Sequence, residues 1–90
     1  MSQTARVLVF DWDFLADLAH WVASDRKVAL RILQLVEAVH RDPFSGLGKP
    51  EPLRNLGSGV WSRRITQEHR LVYIVKEDRL LFAQARYHYT

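Results

Sequence analysis

The sequence predicts a small α+β fold in which an N-terminal strand and two helices pack on a mainly antiparallel sheet. Three observations lead to this prediction: a β-type run at the start, two helical patterns after it, and three β-type runs in the second half. Successive strands with short connections form antiparallel pairs, and amphipathic helices then cover one face of the sheet. We expect residues 1–90 to form one domain, which is long enough for a modest core.

The N-terminal part predicts a strand followed by a short helix. Residues 3–10 end in β-branched and aromatic side chains, which are typical of a strand. Asp11 is a good N-cap for a helix that runs to about Ala23. Its spacing predicts one broad apolar face: Phe14, Leu15, Leu18, Trp21 and Val22.

A second helix is predicted from a cap at Ser24 or Asp25 to about Arg41. Asp42 and Pro43 end it, because the residue before a proline is pushed out of helical geometry. Apolar residues at a spacing of three and four predict the stripe that faces the core: Val28, Ile32, Leu35, Val36 and Val39.

The second half predicts a long irregular stretch and then a meander of strands. Residues 42–59 are rich in glycine and proline, and a loop of this length in a small domain is more often functional than idle. Three β-type runs follow, at Val60–Ile65, Arg70–Val75 and Leu80–Tyr87. Four-residue connections between them have the length of hairpin loops.

The composition excludes several classes of protein. Apolar residues make up 48% of the chain and charged residues 26%, which argues against disorder. The chain has no cysteine, so disulfides and thiolate zinc sites are excluded. The longest early apolar run, Val7–Phe10, is too short for a signal peptide or a membrane span. We therefore expect a cytoplasmic protein without a membrane partner.

The charge is unevenly distributed along the chain. Residues 1–40 hold four basic and five acidic residues, whereas residues 41–90 hold nine basic and five acidic ones. Most of these basic residues are arginines, which form paired hydrogen bonds with phosphate groups. The pattern favours a polyanion such as nucleic acid, although charge alone fits an ordinary soluble domain equally well.

Four segments of the second half together resemble one known family. They are Gly48-Lys49-Pro50-Glu51-Pro52-Leu53, Trp61-Ser62-Arg63-Arg64-Ile65-Thr66, Glu68-His69-Arg70-Leu71-Val72-Tyr73 and Arg86-Tyr87-His88-Tyr89. In this order they resemble the YoeB/Txe-type toxins of bacterial type II toxin–antitoxin systems, within the RelE/ParE superfamily. The likeness covers nearly the whole chain and implies a RelE-like microbial ribonuclease fold. Small departures are a slightly longer N-terminus and Thr90 after the tyrosine at which such chains usually end.

The resemblance implies a metal-independent endoribonuclease that cleaves messenger RNA in the ribosomal A site by attack of the 2′-hydroxyl. Glu51 would be the general base, Arg70 the stabiliser of the transition state, and His88 the general acid. Histidine suits the last role because its side chain ordinarily titrates near pH 6.5. Without the resemblance, Glu51 is more simply an exposed loop carboxylate, and a near-terminal histidine is usually a solvated one.

Other residues are candidates for binding RNA. Arg63 and Arg64 point to opposite faces of one strand, so they cannot both line the same site. The resemblance favours Arg64 as an assistant to Arg70, and the register of the hairpin decides between the two arginines. Lys49 and Arg54 flank Glu51 and would contact the RNA backbone, or else be solvated loop charges. We expect Tyr89 to stack on a base or bind phosphate, with simple packing as the alternative, and Tyr87 to belong to the core.

Metal and cofactor sites are not expected. No histidine pair with a carboxylate has metal-ligand spacing, and no glycine-rich phosphate loop is present. Trp12, Trp21 and Trp61 are expected in the core rather than on bases, because tryptophan at apolar positions is usually buried. The sequence predicts no cofactor.

The expected partners are messenger RNA, the ribosome and a cognate antitoxin, with a homodimer also permitted. The antitoxin should be acidic and partly disordered when free, and fold across the basic surface. Two rival hypotheses remain: a non-catalytic RNA-, ribosome- or partner-binding module of the same fold, and a decayed toxin. The joint presence of Glu51, Arg70 and His88 favours the catalytic hypothesis, since a pure binder has no need of all three.

Overall fold

The computed structural model describes residues 5–87. The elements in chain order are β1 (Val7–Phe10), α1 (Trp12–Ser24), α2 (Arg26–Arg41), β2 (Glu51–Pro52), a short 3-10 helix (Arg54–Leu56), β3 (Val60–Arg64), β4 (Arg70–Val75) and β5 (Arg79–Gln84). The strands form one sheet in the order β1-β5-β4-β3-β2. Within the described part β1 and β5 run parallel and the other neighbours antiparallel, which confirms the predicted α+β fold.

The two helices begin and end where local chemistry requires. Asp11 caps α1 as predicted, since its carboxylate accepts a hydrogen bond from the backbone N–H of Asp13 at 3.3 Å. Asp25 alone separates α1 from α2, and Asp42 follows the last turn of α2. The predicted stripe of α2 is confirmed, with four of its residues buried: Ile32, Leu35, Val36 and Val39. No helix of residues 5–87 is long and apolar enough to cross a membrane.

The core lies between the helices and one face of the sheet. Because side chains alternate along a strand, each strand sends every second residue to the helices. The fully buried residues on this side include Leu71 and Tyr73 of β4 and Leu80 and Phe82 of β5, packed with Phe14 of α1. The intervening residues of β3 and β4 form the opposite face, which carries the polar side chains described below.

Two predicted boundaries in the second half are wrong. The stretch 42–59 contains the short strand β2, in which Glu51 pairs with Ser62 of β3, so Glu51 belongs to the sheet. β5 ends at Gln84 rather than Tyr87. The chain leaves the sheet there because α1 binds the next residue, Ala85, through its backbone N–H and carbonyl.

Several residues predicted to be in the core are exposed. Tyr87 is 59% exposed and has a φ of 68°, so it lies beyond the strand and not on its buried face. Trp12 is 80% exposed at the first turn of α1. Leu15 and Val22 are also exposed, because α1 buries only the narrower stripe that faces β5.

Candidate active site

Glu51 and Arg70 meet on the sheet face opposite to the helices. Arg70 donates a hydrogen bond from Nη1 to Oε1 of Glu51 at 2.7 Å, and Nη1 lies 3.4 Å from Oγ of Ser62. The side chain of Arg70 is 20% exposed, whereas that of Glu51 is 56% exposed. The arginine is therefore held in place while the carboxylate remains accessible to a ligand.

The register of the strands fixes this arrangement. Glu51 lies opposite Ser62 in the β2–β3 pair, and Arg64 lies opposite Arg70 in the β3–β4 pair. Directly opposed residues share a face, so all four side chains belong to one surface. We call these four residues the site face. Two arginines in direct opposition repel one another, and an anion bound between them would relieve that repulsion.

The neighbouring arginines of β3 have separate surroundings. Arg64 is exposed on the site face, whereas Arg63 points toward the helices and is completely buried. Strand alternation accounts for the difference, since consecutive side chains point to opposite faces. Arg63 thus lies outside the site face, although it acts on the loop that leads there.

Arg63 binds the loop between α2 and β2 through both terminal nitrogens of its guanidinium group. It donates from Nη2 to the carbonyls of Asp42 and Ser45, from Nη1 to that of Leu47 at 3.0 Å, and from Nε to the hydroxyl of Tyr73 at 3.1 Å. A buried charge is tolerated only when its donors are satisfied, and carbonyl oxygens satisfy this one. The consequence is a loop held by a side chain of the sheet.

Tyr73 completes the same network. Its hydroxyl donates to the carbonyl of Pro43 at 2.7 Å and accepts the hydrogen bond from Arg63. Burial raises the pKa of Tyr73 above its ordinary value of 10.0, and the hydrogen bond and positive charge of Arg63 oppose part of that rise. The tyrosine therefore stays neutral and keeps its donor in place at physiological pH.

Asp42 orders the first turn of the loop from the solvent side. Its carboxylate accepts hydrogen bonds from the backbone N–H of Phe44 at 2.9 Å and from the hydroxyl of Ser45 at 2.7 Å. These bonds, led by the one from Phe44, lower the pKa of Asp42 below its ordinary value of 3.8. The turn is thus fixed by an ionised aspartate.

The end of the loop is fixed at Gly48. The carbonyl of Gly48 accepts a hydrogen bond from the backbone N–H of Arg64 at 2.7 Å. Gly48 has a φ of +88°, and a Cβ there would come within 2.7 Å of the Leu35 side chain, so this position requires glycine. Lys49 follows with a φ of 53°, and the chain then enters β2 at Glu51.

The C-terminal segment also reaches the site. The backbone N–H of Arg70 donates to the carbonyl of Tyr87 at 3.2 Å, and the backbone N–H of Tyr87 donates to Nδ1 of His69 at 2.7 Å. The described chain therefore ends beside Arg70. His88 and Tyr89, which the sequence nominates as acid and as base-stacking residue, lie outside the described residues.

The remaining predicted residues are less closely tied to this pair. Lys49 and Arg54 are both exposed, and within residues 5–87 neither forms a hydrogen bond or ion pair with Glu51 or Arg70. Arg54 lies in the 3-10 helix beyond β2. No group of three or more histidine, aspartate or glutamate side chains suited to a metal ion occurs in the described part of the chain.

Sequence reasoning missed three contributors to the site. Ser62 contacts Arg70, and its position two residues before Arg64 on a predicted strand would have placed it on the same face. Arg63 and Tyr73 were not recognised as anchors of the loop. Nothing local in the sequence indicates that a buried arginine will find carbonyl partners 16 to 21 residues away.

Comparison with known proteins identifies the family. Residues 10–89 match the model of the YoeB-like toxin of bacterial type II toxin–antitoxin systems. The chain belongs to the YoeB toxin family. It is therefore a toxin of a type II toxin–antitoxin system, and the resemblance found in the sequence is confirmed.

Curated YoeB relatives match over most of their length. The toxin RelK of Mycobacterium tuberculosis is 54% identical over 84 residues, which cover 93% of this chain and 99% of the relative. The toxin YoeB of Escherichia coli K12 is 51% identical over 78 residues, covering 87% and 89%.

Solved structures of YoeB proteins share the fold. A YoeB/ParE toxin from Agrobacterium tumefaciens is 42% identical, with a TM-score of 0.85 and coverage of 92% of this chain and 99% of that one. A YoeB dimer from Staphylococcus aureus is 34% identical, with a TM-score of 0.85 and coverage of 94% and 99%. A heterotetrameric YoeB–YefM toxin–antitoxin complex from the same organism is 38% identical, with a TM-score of 0.80 and coverage of 94% and 100%.

Proposed function

We propose that this toxin is an endoribonuclease that cleaves messenger RNA. The observation that carries the proposal is the accessible carboxylate of Glu51 held at 2.7 Å by Arg70, with Arg64 directly opposite Arg70. A base beside two cations is what cleavage through the 2′-hydroxyl of RNA requires. Membership of the YoeB toxin family supports the same assignment.

Glu51 acts in this proposal as the general base. It accepts the proton of the 2′-hydroxyl, whose oxygen then attacks the adjacent phosphorus and displaces the 5′-oxygen. β2 and the anchored loop hold the carboxylate at one position, which lowers the entropic cost of aligning it. The products are a 5′-hydroxyl and a 2′,3′-cyclic phosphate, which can open to a 3′-phosphate.

Arg70 stabilises the negative charge that develops on the phosphate. Its Nη1 is occupied by Glu51 and Ser62, whereas within residues 5–87 its Nη2 and Nε have no hydrogen-bonded partner. Those donors can bind phosphate oxygens while Nη1 keeps Glu51 in place. Arg64 adds a second cation on the same face.

His88 acts as the general acid that protonates the departing 5′-oxygen. The support for this role is its covalent attachment to Tyr87, whose carbonyl accepts a hydrogen bond from the backbone of Arg70. Tyr89 stacks on a base or contacts phosphate. Lys49 contacts the RNA backbone.

Arg54, in the 3-10 helix after β2, also contacts the RNA backbone and so extends the RNA-binding surface beyond β2. The mechanism as a whole uses no metal ion and no cofactor, because the base, the acid and the cations are all side chains.

The proposed partners follow from the same assignment. The substrate is messenger RNA in the ribosomal A site, so the ribosome is a partner and the protein acts in the cytoplasm. The related toxin from Staphylococcus aureus forms a complex with YefM and also a dimer. We extend both to this chain: a cognate acidic antitoxin that neutralises it, and a homodimer.

The test compares wild-type protein with Glu51→Gln and Glu77→Gln in a purified translation system. Glu77 is an equally charged, exposed residue in the turn after β4, at the far end of the strand from Arg70. We expect new 5′ ends at the A site with wild type and Glu77→Gln. Cleavage by Glu51→Gln should fall about 10²- to 10⁴-fold, because a positioned base is lost.

Two outcomes would count against the proposal. A translation block without new 5′ ends, equal for all three proteins, would mean a non-catalytic binding module. Undiminished cleavage by Glu51→Gln would remove Glu51 from the mechanism. A parallel reaction with naked RNA tests whether the ribosome is required. If it is, the RNA should be cleaved only when ribosomes are present.

A further inference from the structure

The imidazole of His69 binds the backbone of the C-terminal segment directly. His69 is half-buried in the turn between β3 and β4, immediately before Arg70. The backbone N–H of Tyr87 donates a hydrogen bond to Nδ1 of His69 at 2.7 Å. A ring nitrogen that accepts a hydrogen bond carries no proton, so the ring takes the tautomer with its proton on Nε2.

His69 is itself held firmly by the turn and by α1. Its backbone N–H donates to the hydroxyl of Thr66 at 3.1 Å, and its carbonyl accepts from the N–H of Ile65 at 2.9 Å. The ring of Trp21 meets the imidazole edge-on, with the ring centres 4.8 Å apart. Trp21 in turn donates from Nε1 to the carbonyl of Ala85 at 2.9 Å. His69 is therefore a fixed support beside the C-terminal segment.

The backbone of Tyr87 requires such a support. Its φ of 68° lies in the left-handed region, which costs free energy in a residue other than glycine. Its side chain is exposed, so burial of the ring does little to offset that cost. Both polar groups of its backbone are bound, the N–H by His69 and the carbonyl by the N–H of Arg70. Two consecutive residues thus hold Tyr87 and set the direction in which the chain continues.

We propose that His69 is a positioning residue of the nuclease, which holds the C-terminal segment against Arg70 by accepting the N–H of Tyr87. The residue after Tyr87 is His88, the general acid of the proposed function, on which this inference rests. A general acid works only within hydrogen-bond reach of the oxygen that it protonates. A displacement of about 1 Å can lower the rate about 10²-fold. His69 touches no substrate in this role and acts through the backbone alone.

Two substitutions separate the hydrogen bond from the packing of the ring. In His69→Asn, Oδ1 is the same number of bonds from the backbone as Nδ1 of histidine, so the acceptor is kept and the ring is lost. In His69→Phe, the ring against Trp21 is kept and the acceptor is lost. Positioning through the hydrogen bond predicts that the asparagine variant works and the phenylalanine variant fails. A role limited to packing predicts the reverse.

Hydrogen exchange of the Tyr87 amide, followed by NMR, measures the hold on the segment without any cleavage. Exchange should be about tenfold faster in His69→Phe, the factor to which one hydrogen bond corresponds, and close to the wild-type rate in His69→Asn. His20→Phe and His20→Asn are the matched controls. His20 meets the ring of Trp21 at the same 4.8 Å, but within residues 5–87 its side chain forms no hydrogen bond. Both control variants should exchange as the wild type does.

Cleavage of ribosome-bound messenger RNA at saturating toxin measures the consequence for the reaction. The rate should fall about 10²-fold in His69→Phe and largely recover in His69→Asn, while both His20 variants cleave as the wild type does. Urea unfolding of each variant confirms that it is folded.

Three outcomes would overturn the role of His69. They are unchanged exchange of the Tyr87 amide in His69→Phe, an asparagine variant that is no better than the phenylalanine variant, and faster exchange with undiminished cleavage. A wild type that cuts no RNA would overturn the nuclease and this role with it. The exchange rates would then still show whether His69 holds the segment, so the two failures are distinguishable.

Discussion

The hydroxyl of Tyr73 is the smallest group whose removal tests the anchoring of the loop. Tyr73→Phe keeps the ring in the core and deletes one oxygen. That oxygen donates to the carbonyl of Pro43 at 2.7 Å and accepts from Nε of Arg63 at 3.1 Å. Both partners are buried, so neither can turn to bulk water when the oxygen is gone.

The cost follows from the two partners left unsatisfied. A buried polar group that loses its hydrogen bond costs about 1–3 kcal/mol, and more if it is charged, as Arg63 is. The two losses share one network and do not simply add, so we expect roughly 3 kcal/mol. Domains of this size have stabilities of about 5–15 kcal/mol, so the variant still folds but melts at a temperature lower by roughly 10–20 °C.

Urea unfolding of wild type and Tyr73→Phe at several pH values measures the stability that the variant loses and tests whether the tyrosine hydroxyl is the cause. Because burial raises the pKa of Tyr73 above 10.0, the unfolded chain loses this proton first as the pH rises. The wild type has the full contribution of the tyrosine below pH 10 and loses it progressively above that value. All other residues are common to the wild type and Tyr73→Phe, so the difference between their free energies of unfolding should narrow above pH 10.

Tyr87→Phe serves as the control. Tyr87 is 59% exposed, and removal of its hydroxyl should change stability by less than about 0.5 kcal/mol at pH 7. The reasoning is refuted if Tyr73→Phe is as stable as the wild type at pH 7, or if the difference between them widens above pH 10.

Two further predictions concern the ends of the same loop. Gly48→Ala places a Cβ on a residue with a φ of +88° and within 2.7 Å of the Leu35 side chain. The substitution should destabilise the protein by roughly 2–4 kcal/mol in urea unfolding and reduce cleavage. Unchanged stability would contradict the packing described at Gly48. Asp42→Asn should lower stability above pH 4, since the lowered pKa of Asp42 gives the wild type an advantage that disappears as the pH falls through that pKa. A stability difference that does not shrink as the pH is lowered below 3.8 would contradict this.

Much of the fold can be predicted from the sequence because the helices and longer strands have regular patterns of apolar residues. The stripe of α2 and the cap at Asp11 have a local physical cause and were predicted correctly. β2 could not be read in the same way, because a two-residue strand has no periodicity. Glu51 pairs with β3 at the end of a loop that is held by the side chain of Arg63 and by the backbone N–H of Arg64, and these contacts span many residues.

The C-terminal segment shows a similar limit. The alternation up to Tyr87 predicts a continuing strand, but Asp17 and Trp21 of α1 bind Ala85 and draw the chain off the sheet. Both contacts span more than sixty residues, which no local pattern reveals. The face on which Arg64 lies depended on register, which the sequence left open and the pairing of Arg64 with Arg70 now specifies.

The consecutive arginines of β3 divide two tasks between the two faces of one strand. Arg63 holds the loop from the buried side, and Arg64 lies opposite Arg70 on the site face. A shift of one residue in the β3–β4 register would exchange them, burying the charge that now lies on the site face and freeing the loop that leads to Glu51. Because one displacement would undo both arrangements, correct positioning of the proposed base and correct folding of the sheet are the same structural condition.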